Sequence, residues 1–328
     1  MPEVFPDQSL AAVLIGRNEG ERLVRCLASV QGLAGRVIYV DSGSTDGSVA
    51  AARAAGAEVV ELDTRLPFTA ARARNAGLAA LRKGVQPDWV QFVDGDCEVQ
   101  PGWIETARRF LESHPKAAVA CGRRRERLPE ASVYNRLCNY EWDTPVGEAL
   151  ACGGDALIRL VALDQVGGYN PMLIAGEEPD MCVRLRHKGW QIWCLDYEMT
   201  LHDANMTRFS QWWKRTRRGG HAAAEGMALH GSGPDRLGVA MVRRALLWGV
   251  GLPVVTLVSS ISISPWALLM LLAYPAQIFR LASRYRGTSK AWEWAGFLVL
   301  GKFPEVTGIV EYWIRRLMHR QAGIIEYK

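Results

Sequence analysis

The sequence has no C-x-x-C pair among its seven cysteines, Cys26, Cys97, Cys121, Cys138, Cys152, Cys182 and Cys194. An odd, scattered set of thiols excludes a disulfide framework and a zinc ribbon and suits a reducing compartment. There is no G-x-x-x-x-G-K-[ST], and no G-x-G-x-x-G follows the first apolar run, so neither common phosphate loop is present. A diphosphate bound here would have to be neutralised by a metal and basic side chains. No internal repeat and no low-complexity tract is found. Charged residues are only 22% of the 328, against 49% hydrophobic, which excludes intrinsic disorder and leaves room for roughly two domains. Charge is missing altogether from Ala245 to Phe279.

The net charge of +5 is placed one-sidedly. Eight Lys or Arg stand against two acids from Asn205 to Arg244, and nine against four from Arg280 to the end. Such a basic half suits a polyanion or an anionic membrane surface, and the apolar stretch inside it favours the membrane over nucleic acid. Met1–Ser9 carries Glu3 and Asp7 with no basic residue, and Arg17 breaks the apolar run that follows. No secretion signal is therefore expected, and the first part of the chain is expected in the cytosol.

Residues 10–125 alternate between two periods. Short apolar runs at 10–16, 36–40, 57–62 and 89–93 are separated by alanine-rich helical stretches near 19–31, 46–55 and 69–83. This order predicts βαβ units in an α/β domain with a mostly parallel sheet and helices on both faces. In such sheets ligands bind outside the carboxyl ends of the strands. The residues after each run are thus candidates: Arg17, Asn18 and Glu19; Asp41 to Asp46; Asp94, Gly95 and Asp96. From 126 to 205 the pattern predicts helices near 133–142 and 179–188 and strands near 156–161 and 191–195, with turns at the Gly-Gly pairs 153–154 and 167–168.

As a single helix, the uncharged run would measure about 52 Å against a hydrocarbon core of about 30 Å. Ser259–Pro265 breaks it, giving two helices over 245–261 and 265–279 in a hairpin that spans the membrane or re-enters on one side. Arg243 and Arg244 before it, and Arg280, Arg284 and Arg286 after it, place both ends on the cytoplasmic side. Beyond lies an amphipathic helix carrying Val306, Ile309, Val310, Trp313, Ile314 and Leu317. Pro304 sits at its first position, Arg315, Arg316 and Arg320 at its far end, and Trp292 and Trp294 nearby as interfacial residues. An ordinary helix packed on the catalytic domain has the same pattern.

Asp94 and Asp96 end a strand run, where carboxylates two apart can converge on one Mg²⁺ or Mn²⁺. Taken alone, such a tripeptide is as readily a solvated turn. Asp41 at the end of another run can accept hydrogen bonds from a base or a ribose, or can simply open a turn before a helix.

Read together, V-L-I-G-R-N-E at 13–19, D-S-G-S-T-D-G-S at 41–48, A-R-A-R-N-A-G at 71–77 and V-D-G-D-C at 93–97 resemble glycosyltransferase family 2 in its membrane-associated bacterial form. G-G-D at 153–155, V-G-G-Y-N at 166–170 and G-E-E-P-D-M-C-V-R-L at 176–185 continue the resemblance across residues 10–205. It implies a GT-A fold, and Glu19, Asp41 and Arg74 near the nucleoside, with Arg17, Asp94, Gly154 and Asp155 completing the nucleotide-sugar site. It implies Asp96 as metal ligand with Asp94 beside it, and His202 as a third ligand. The general base falls on Glu178, with Glu177 and Asp180 as neighbours in contention; the family's Glu-Asp pair is Glu-Glu here. The usual Pro-x-Tyr-Asn-Glu of the first strand is Ile15-Gly16-Arg17-Asn18-Glu19. The Q-x-x-R-W of processive enzymes is absent, so one sugar per encounter is expected. Arg215, Arg217 and Arg218 would meet a phosphate or a lipid headgroup.

The domains expected on this basis are a catalytic GT-A domain at 1–205, a basic helical connector at 206–244, the hairpin at 245–279, and interfacial helices with a tail at 280–328. The implied reaction is inverting transfer from a nucleotide-diphosphate sugar to a lipid-linked saccharide at the inner membrane, in exopolysaccharide or lipopolysaccharide assembly. A polyisoprenyl phosphate or a glycolipid is the alternative acceptor, and a catalytically silent assembly subunit the alternative of another class. A sugar-nucleotide cytidylyl- or uridylyltransferase would need a Gly-rich loop after strand one, which Gly16–Gly20 does not supply.

Overall fold

The computed structural model describes residues 7–285 and 290–318, so Glu3, Arg286 and Arg320 lie outside the described residues. The chain divides into two compact units, Met1–Asn205 and Met206–Lys328.

The first unit opens with β1 (Asp7–Gly16), α1 (Glu21–Val30), β2 (Ala34–Asp41), α2 (Ser48–Ala54), β3 (Glu58–Glu61), α3 (Ala70–Leu81) and β4 (Trp89–Asp94). Next come β5 (Cys97–Val99), α4 (Trp103–Ser113), β6 (Ala117–Glu126), α5 (Val133–Glu141), β7 (Gly147–Ala149), β8 (Ala156–Arg159), α6 (Leu160–Val166), α7 (Glu177–His187) and β9 (Gln191–His202). The sheet order is β3-β2-β1-β4-β8-β6-β9-β5, with β7 alongside β9. The part from β3 to β4 is parallel, and β8 enters antiparallel to both β4 and β6. The sheet is therefore mixed beyond β4. From Leu10 to Gly16, β1 is buried on both alternating faces, as a central strand covered by helices on either side must be.

Parallel register sets the site. Gly16 pairs with Asp41 on one side of β1, and Ile15 with Asp94 on the other, so both acids reach the same edge. Beside β4, Phe92 pairs with Ala156, which brings Gly154 and Asp155 up to Asp94. β5 pairs Cys97 with His202, closing Asp96 against the end of β9. Beneath this edge Gln91 is fully buried in β4; it accepts from Trp103 Nε1 at 2.9 Å and donates to the Phe92 carbonyl at 2.7 Å. That satisfies a buried amide whose desolvation would otherwise be costly.

The second unit is helical: α8 (Phe209–His230), α9 (Val239–Leu246), α10 (Leu252–Ser262), α11 (Ala273–Arg284), α12 (Ala291–Leu300) and α13 (Lys302–Leu317). α8 and α13 approach so closely that a Cβ at Gly220 would overlap the Glu305 backbone, and one at Gly308 the Arg217 carbonyl. An ion pair from Arg217 to Glu311 at 2.5 Å ties the same two helices, and Arg315 pairs with Glu311 within α13. A π turn at Leu247–Gly251 joins α9 to α10, and a 3₁₀ turn at Pro265–Leu272 leads into α11. Tyr274 Oη donates to the Trp248 carbonyl at 2.6 Å, folding the second stretch back on the first.

Val239–Ser262 (24 residues) and Pro265–Arg284 (20 residues) are each long and apolar enough to cross a membrane, with 11% and 6% of their apolar windows buried in the protein. The low burial separates them from ordinary core helices. The first begins earlier than the apolar run, because Val239 and Val242 pack inward and carry Arg243 and Arg244 on the same helix. Pro304 is the third residue of α13, not the first. α13 is apolar on two faces. Ile309 and Tyr312 pack inward, while Val310, Trp313, Ile314 and Leu317 form an exposed row flanked by Arg316.

Candidate active site

Two loops form one wall. Asn18 has φ 55°, a left-handed conformation that asparagine tolerates. Its side chain accepts from Thr45 N at 2.7 Å, and its N–H donates to Ser44 Oγ at 2.9 Å. Gly20 N donates to Asp46 Oδ2 at 3.1 Å. Asp41 is buried and accepts from Gly43 N, Ser44 N and Tyr39 Oη at 2.9, 2.8 and 3.0 Å. The first-strand loop and the D-S-G-S-T-D-G-S loop are thus laced together, with Arg17 exposed at the rim. Glu19 pairs with Arg22 at 2.8 Å, and its Cγ lies 3.2 Å from where a Cβ on Gly95 would stand. The glycine between Asp94 and Asp96 admits Glu19 at this distance.

The second group is built on Arg74, in α3 and only 2% exposed. Its guanidinium reaches Asp94 Oδ1 at 2.9 Å, Glu177 Oε1 at 2.9 Å and Glu178 Oε1 at 2.8 Å. Burial works against its charge, but the three carboxylates outweigh it and hold Arg74 well above the usual arginine range. Arg124 in β6 reaches Asp94 Oδ2 at 3.3 Å and Asp155 Oδ2 at 2.6 Å. Asp155 is fully buried; it accepts from Asp94 N at 2.9 Å and from Thr200 Oγ1 at 2.7 Å, which fixes the end of β4. Four carboxylates face two guanidinium groups, so the cluster needs a proton or a further cation to balance.

Glu178 takes the proton. Burial first, then Glu177 beside it, push its carboxyl up to about 7, with Arg74 pulling the other way. Asp180 is instead committed to Arg184 on its own helix, at 2.8 Å. The three acids proposed as bases therefore differ in kind. Glu177 is buried against Arg74, Asp180 is buried against Arg184, and Glu178 is partly open with a carboxyl that titrates near neutrality.

Asp96 and His202 meet a short distance away, with Oδ2 and Nε2 3.3 Å apart and both residues buried. Two cis ligands of one octahedral Mn²⁺ or Mg²⁺, each about 2.1 Å from the ion, stand about 3 Å apart. A carboxylate oxygen suits either ion and the softer imidazole nitrogen favours Mn²⁺ over Mg²⁺, and burial holds His202 below the usual histidine range, in the neutral form that ligates. These residues fit a divalent ion. Cys97 lies within reach of Asp96 and His202, and of Asp94 and Asp155. Burial and then Asp155 hold its thiol well above the usual range, so it is a poor ligand for a hard cation. Asp94 is occupied by the two arginines.

Two partners of this pair escape sequence reasoning. Glu126 in β6 stands 3.6 Å from His202 Nδ1 and accepts from Asn135 Nδ2, Leu128 N and Ala204 N at 3.1–3.2 Å. Trp142 sets its ring edge-on to His202, centroids 4.5 Å apart, and Arg124 lies over its face. The bulged pairing of β6 with β9 sets Glu126 opposite His202, and Trp142 stands at the end of α5. Arg215, Arg217 and Arg218 all lie on α8 in the second unit, where Arg217 is held by Glu311.

Gly154 has no room for a side chain, since a Cβ would overlap Arg74 Nη2 and stand 2.7 Å from Asp94 Oδ2. Gly154→Ala is expected to displace the Arg74–Asp94 ion pair and to destabilise the protein by about 1–3 kcal/mol. A thermal melt and a crystal structure of the variant check this, and an unmoved Arg74–Asp94 pair would refute it.

A mixed α/β sheet with acids gathered at its carboxyl edge is the architecture of a GT-A domain. Residues 12–148 match the family model described as glycosyl transferase family 2. A pre-mycofactocin glycosyltransferase of Mycobacterium tuberculosis is 28% identical over 254 residues, covering 70% of this chain and 49% of that protein. A TPR repeat-containing protein of Synechococcus elongatus is 34% identical over 125 residues, 38% of this chain and 29% of the other. The chain thus spans half or less of the length of these curated relatives. Among solved structures, the mannosyltransferase of Pyrobaculum calidifontis in complex with GDP-Man and Mn²⁺ shares the fold. Its TM-score is 0.64 at 14% identity, covering 95% of this chain and 89% of that one.

Proposed function

We propose that this chain is a metal-dependent inverting glycosyltransferase that moves one sugar from a nucleotide-diphosphate sugar to a lipid-linked acceptor. The observation that carries the reading is the Asp96–His202 pair at the carboxyl edge of a family 2 sheet, beside a carboxyl that titrates near 7. The laced loops, with Glu19, Asp41 and Arg17, hold the nucleoside. Asp96 and His202 would hold Mn²⁺ or Mg²⁺, which when bound would neutralise charge on the donor's diphosphate. Glu178 accepts the proton of the acceptor hydroxyl at its carboxylate as that oxygen attacks the anomeric carbon opposite the departing nucleotide. Arg74 and Arg124 keep Asp94 and the Glu177–Glu178 pair in register. The mannosyltransferase that shares the fold was crystallised with GDP-Man and Mn²⁺, which supports the donor class and the cofactor.

The acceptor's lipid nature rests on the two apolar helices with little of their surface buried. Arg243 and Arg244 near the start of the first helix and Arg280 and Arg284 near the end of the second fit a hairpin whose two ends face the cytosol at the inner membrane. An undecaprenyl-pyrophosphate-linked saccharide of exopolysaccharide or lipopolysaccharide assembly is the proposed acceptor. Undecaprenyl phosphate and a glycolipid are the other members of the class. Calorimetry of UDP, GDP, dTDP and CDP with the detergent-purified chain, with and without Mn²⁺, tests the donor site. Metal-dependent binding of one nucleotide is expected, and binding of none would favour a silent assembly subunit.

Glu126 orients the His202 imidazole, leaving Nε2 toward Asp96. Glu126→Gln is expected to weaken Mn²⁺ about 10- to 100-fold, read by calorimetry or by the Mn²⁺ resonance spectrum without substrate. An unchanged affinity would remove Glu126 from this role.

A further inference from the structure

All seven thiols are buried, and two of them stand out for their position. Cys152 immediately precedes Gly153 and Gly154, and Cys182 lies in α7 one turn after Glu178. Their sulfur atoms are 3.7 Å apart. Cys152 is 9% exposed and Cys182 is fully buried. We propose that Cys152 and Cys182 are a reversible thiol–disulfide pair, through which a peroxide closes down the candidate active site.

The chemistry is complete with a peroxide as oxidant. The Cys152 sulfur attacks the peroxide oxygen, giving a sulfenic acid and one water. Cys182 sulfur then attacks the sulfenic sulfur, the S–S bond forms, and a second water leaves. Two thiols are oxidised by two electrons and hydrogen peroxide is reduced to two waters. A hydrogen bond with Cys182, together with burial, holds the Cys152 thiol well above its ordinary range. The thiolate is the nucleophile, so the rate should climb about tenfold per pH unit through neutrality.

The consequence follows from what each sulfur is attached to. A disulfide is about 2.05 Å long, so the sulfurs must close by about 1.7 Å from their present 3.7 Å. The loop carrying Cys152 has little slack, because at Gly154 even a Cβ would stand 2.7 Å from Asp94 Oδ2. The alternative is for α7 to move. Cys182 shares a helix face with Glu178, four residues earlier, so that movement draws Glu178 away from Arg74. Either displacement breaks the Asp94–Arg74–Glu178 contacts, which are 2.8–2.9 Å here.

Cys121 and Cys194, side by side in β6 and β9, are the competing pair. The test is peptide mapping of the full-length chain without reduction, after hydrogen peroxide at pH 7 and pH 8 and alkylation of the remaining thiols. A peptide joining Cys152 to Cys182 is expected, forming faster at pH 8 and released by dithiothreitol. Metal-dependent nucleotide binding should fall at least tenfold with it. Cys182→Ala should abolish both effects, and Cys152→Ala should do so independently should the first variant fold poorly. A 121–194 crosslink alone, overoxidation of Cys152 without a crosslink, or a crosslink that leaves binding unchanged would each overturn the proposal. If the reduced protein binds no nucleotide at all, the donor reading fails instead, and the mapped crosslink still decides the pairing.

Discussion

Glu178→Gln is expected to lower turnover by about 10²- to 10⁴-fold, the usual contribution of a positioned general base, while donor binding stays within about threefold. The amide keeps the shape and a contact with Arg74 but cannot accept a proton. In the wild type, turnover should rise about tenfold per pH unit below about 7 and level off above it, because the carboxyl must be ionised to act and its range is raised to about 7. Stability should run the other way. The native carboxyl is raised from 4.5 to about 7, so its contribution is complete below 4.5 and is lost as pH rises through 7. Ionising it then costs up to about 3 kcal/mol. The glutamine variant should therefore melt at or above the wild-type temperature at pH 8, with no such advantage near pH 4. A variant that loses activity by melting early would show that Glu178 is structural. Full turnover in the variant would move the base to another carboxylate.

The second large effect is expected at Asp96. Asp96→Ala removes one of two side chains whose donor atoms stand 3.3 Å apart, leaving a neutral imidazole as the remaining ligand of the pair. Metal-dependent nucleotide binding should be lost at any accessible Mn²⁺ concentration, and turnover should fall by at least about 10³-fold, as several kcal/mol of charge stabilisation disappear. His202→Ala should follow the same direction with a smaller loss, since imidazole contributes no charge. Titration of Mn²⁺ by resonance spectroscopy, with and without nucleotide, measures both. Equal Mn²⁺ affinity in wild type and Asp96→Ala would remove this pair as the ion's site, and attention would shift to Asp94 and Asp155.

The strands that carry the site were legible because buried parallel strands read as unbroken apolar runs. Leu10–Gly16, Arg36–Val40 and Trp89–Val93 lie within β1, β2 and β4. β6 was not legible. Its second half reads Gly-Arg-Arg-Arg-Glu, a surface pattern, yet Arg124 and Glu126 turn inward where β9 bulges against it. Charge buried against charge leaves no hydrophobic trace, so the partners of Asp94 and His202 could not be seen. α4 did carry a signal, with Trp103, Ala107 and Leu111 four apart and all fully buried. Arg74 was marked by its motif, but not its use; three carboxylates from two distant segments close on it only in the folded chain. β9 runs on to His202 rather than stopping near 195 because its far half pairs with β5 and the end of β6.

The lacing of the two N-terminal loops bears on how quickly and how tightly a ligand is taken up. Asn18, Gly20, Thr45 and Asp46 are hydrogen-bonded to one another across 26 or 27 residues of chain before any guest arrives. Fixing a loop residue costs roughly 1–2 kcal/mol of backbone entropy, and here that loss has already been taken on folding. A nucleoside settling against this wall would meet a rigid template, so its capture should resemble a key entering a cut lock rather than a hand closing. Cutting one thread, such as the Asn18 side chain, would then show first as slower association, while the complex, once formed, kept most of its lifetime.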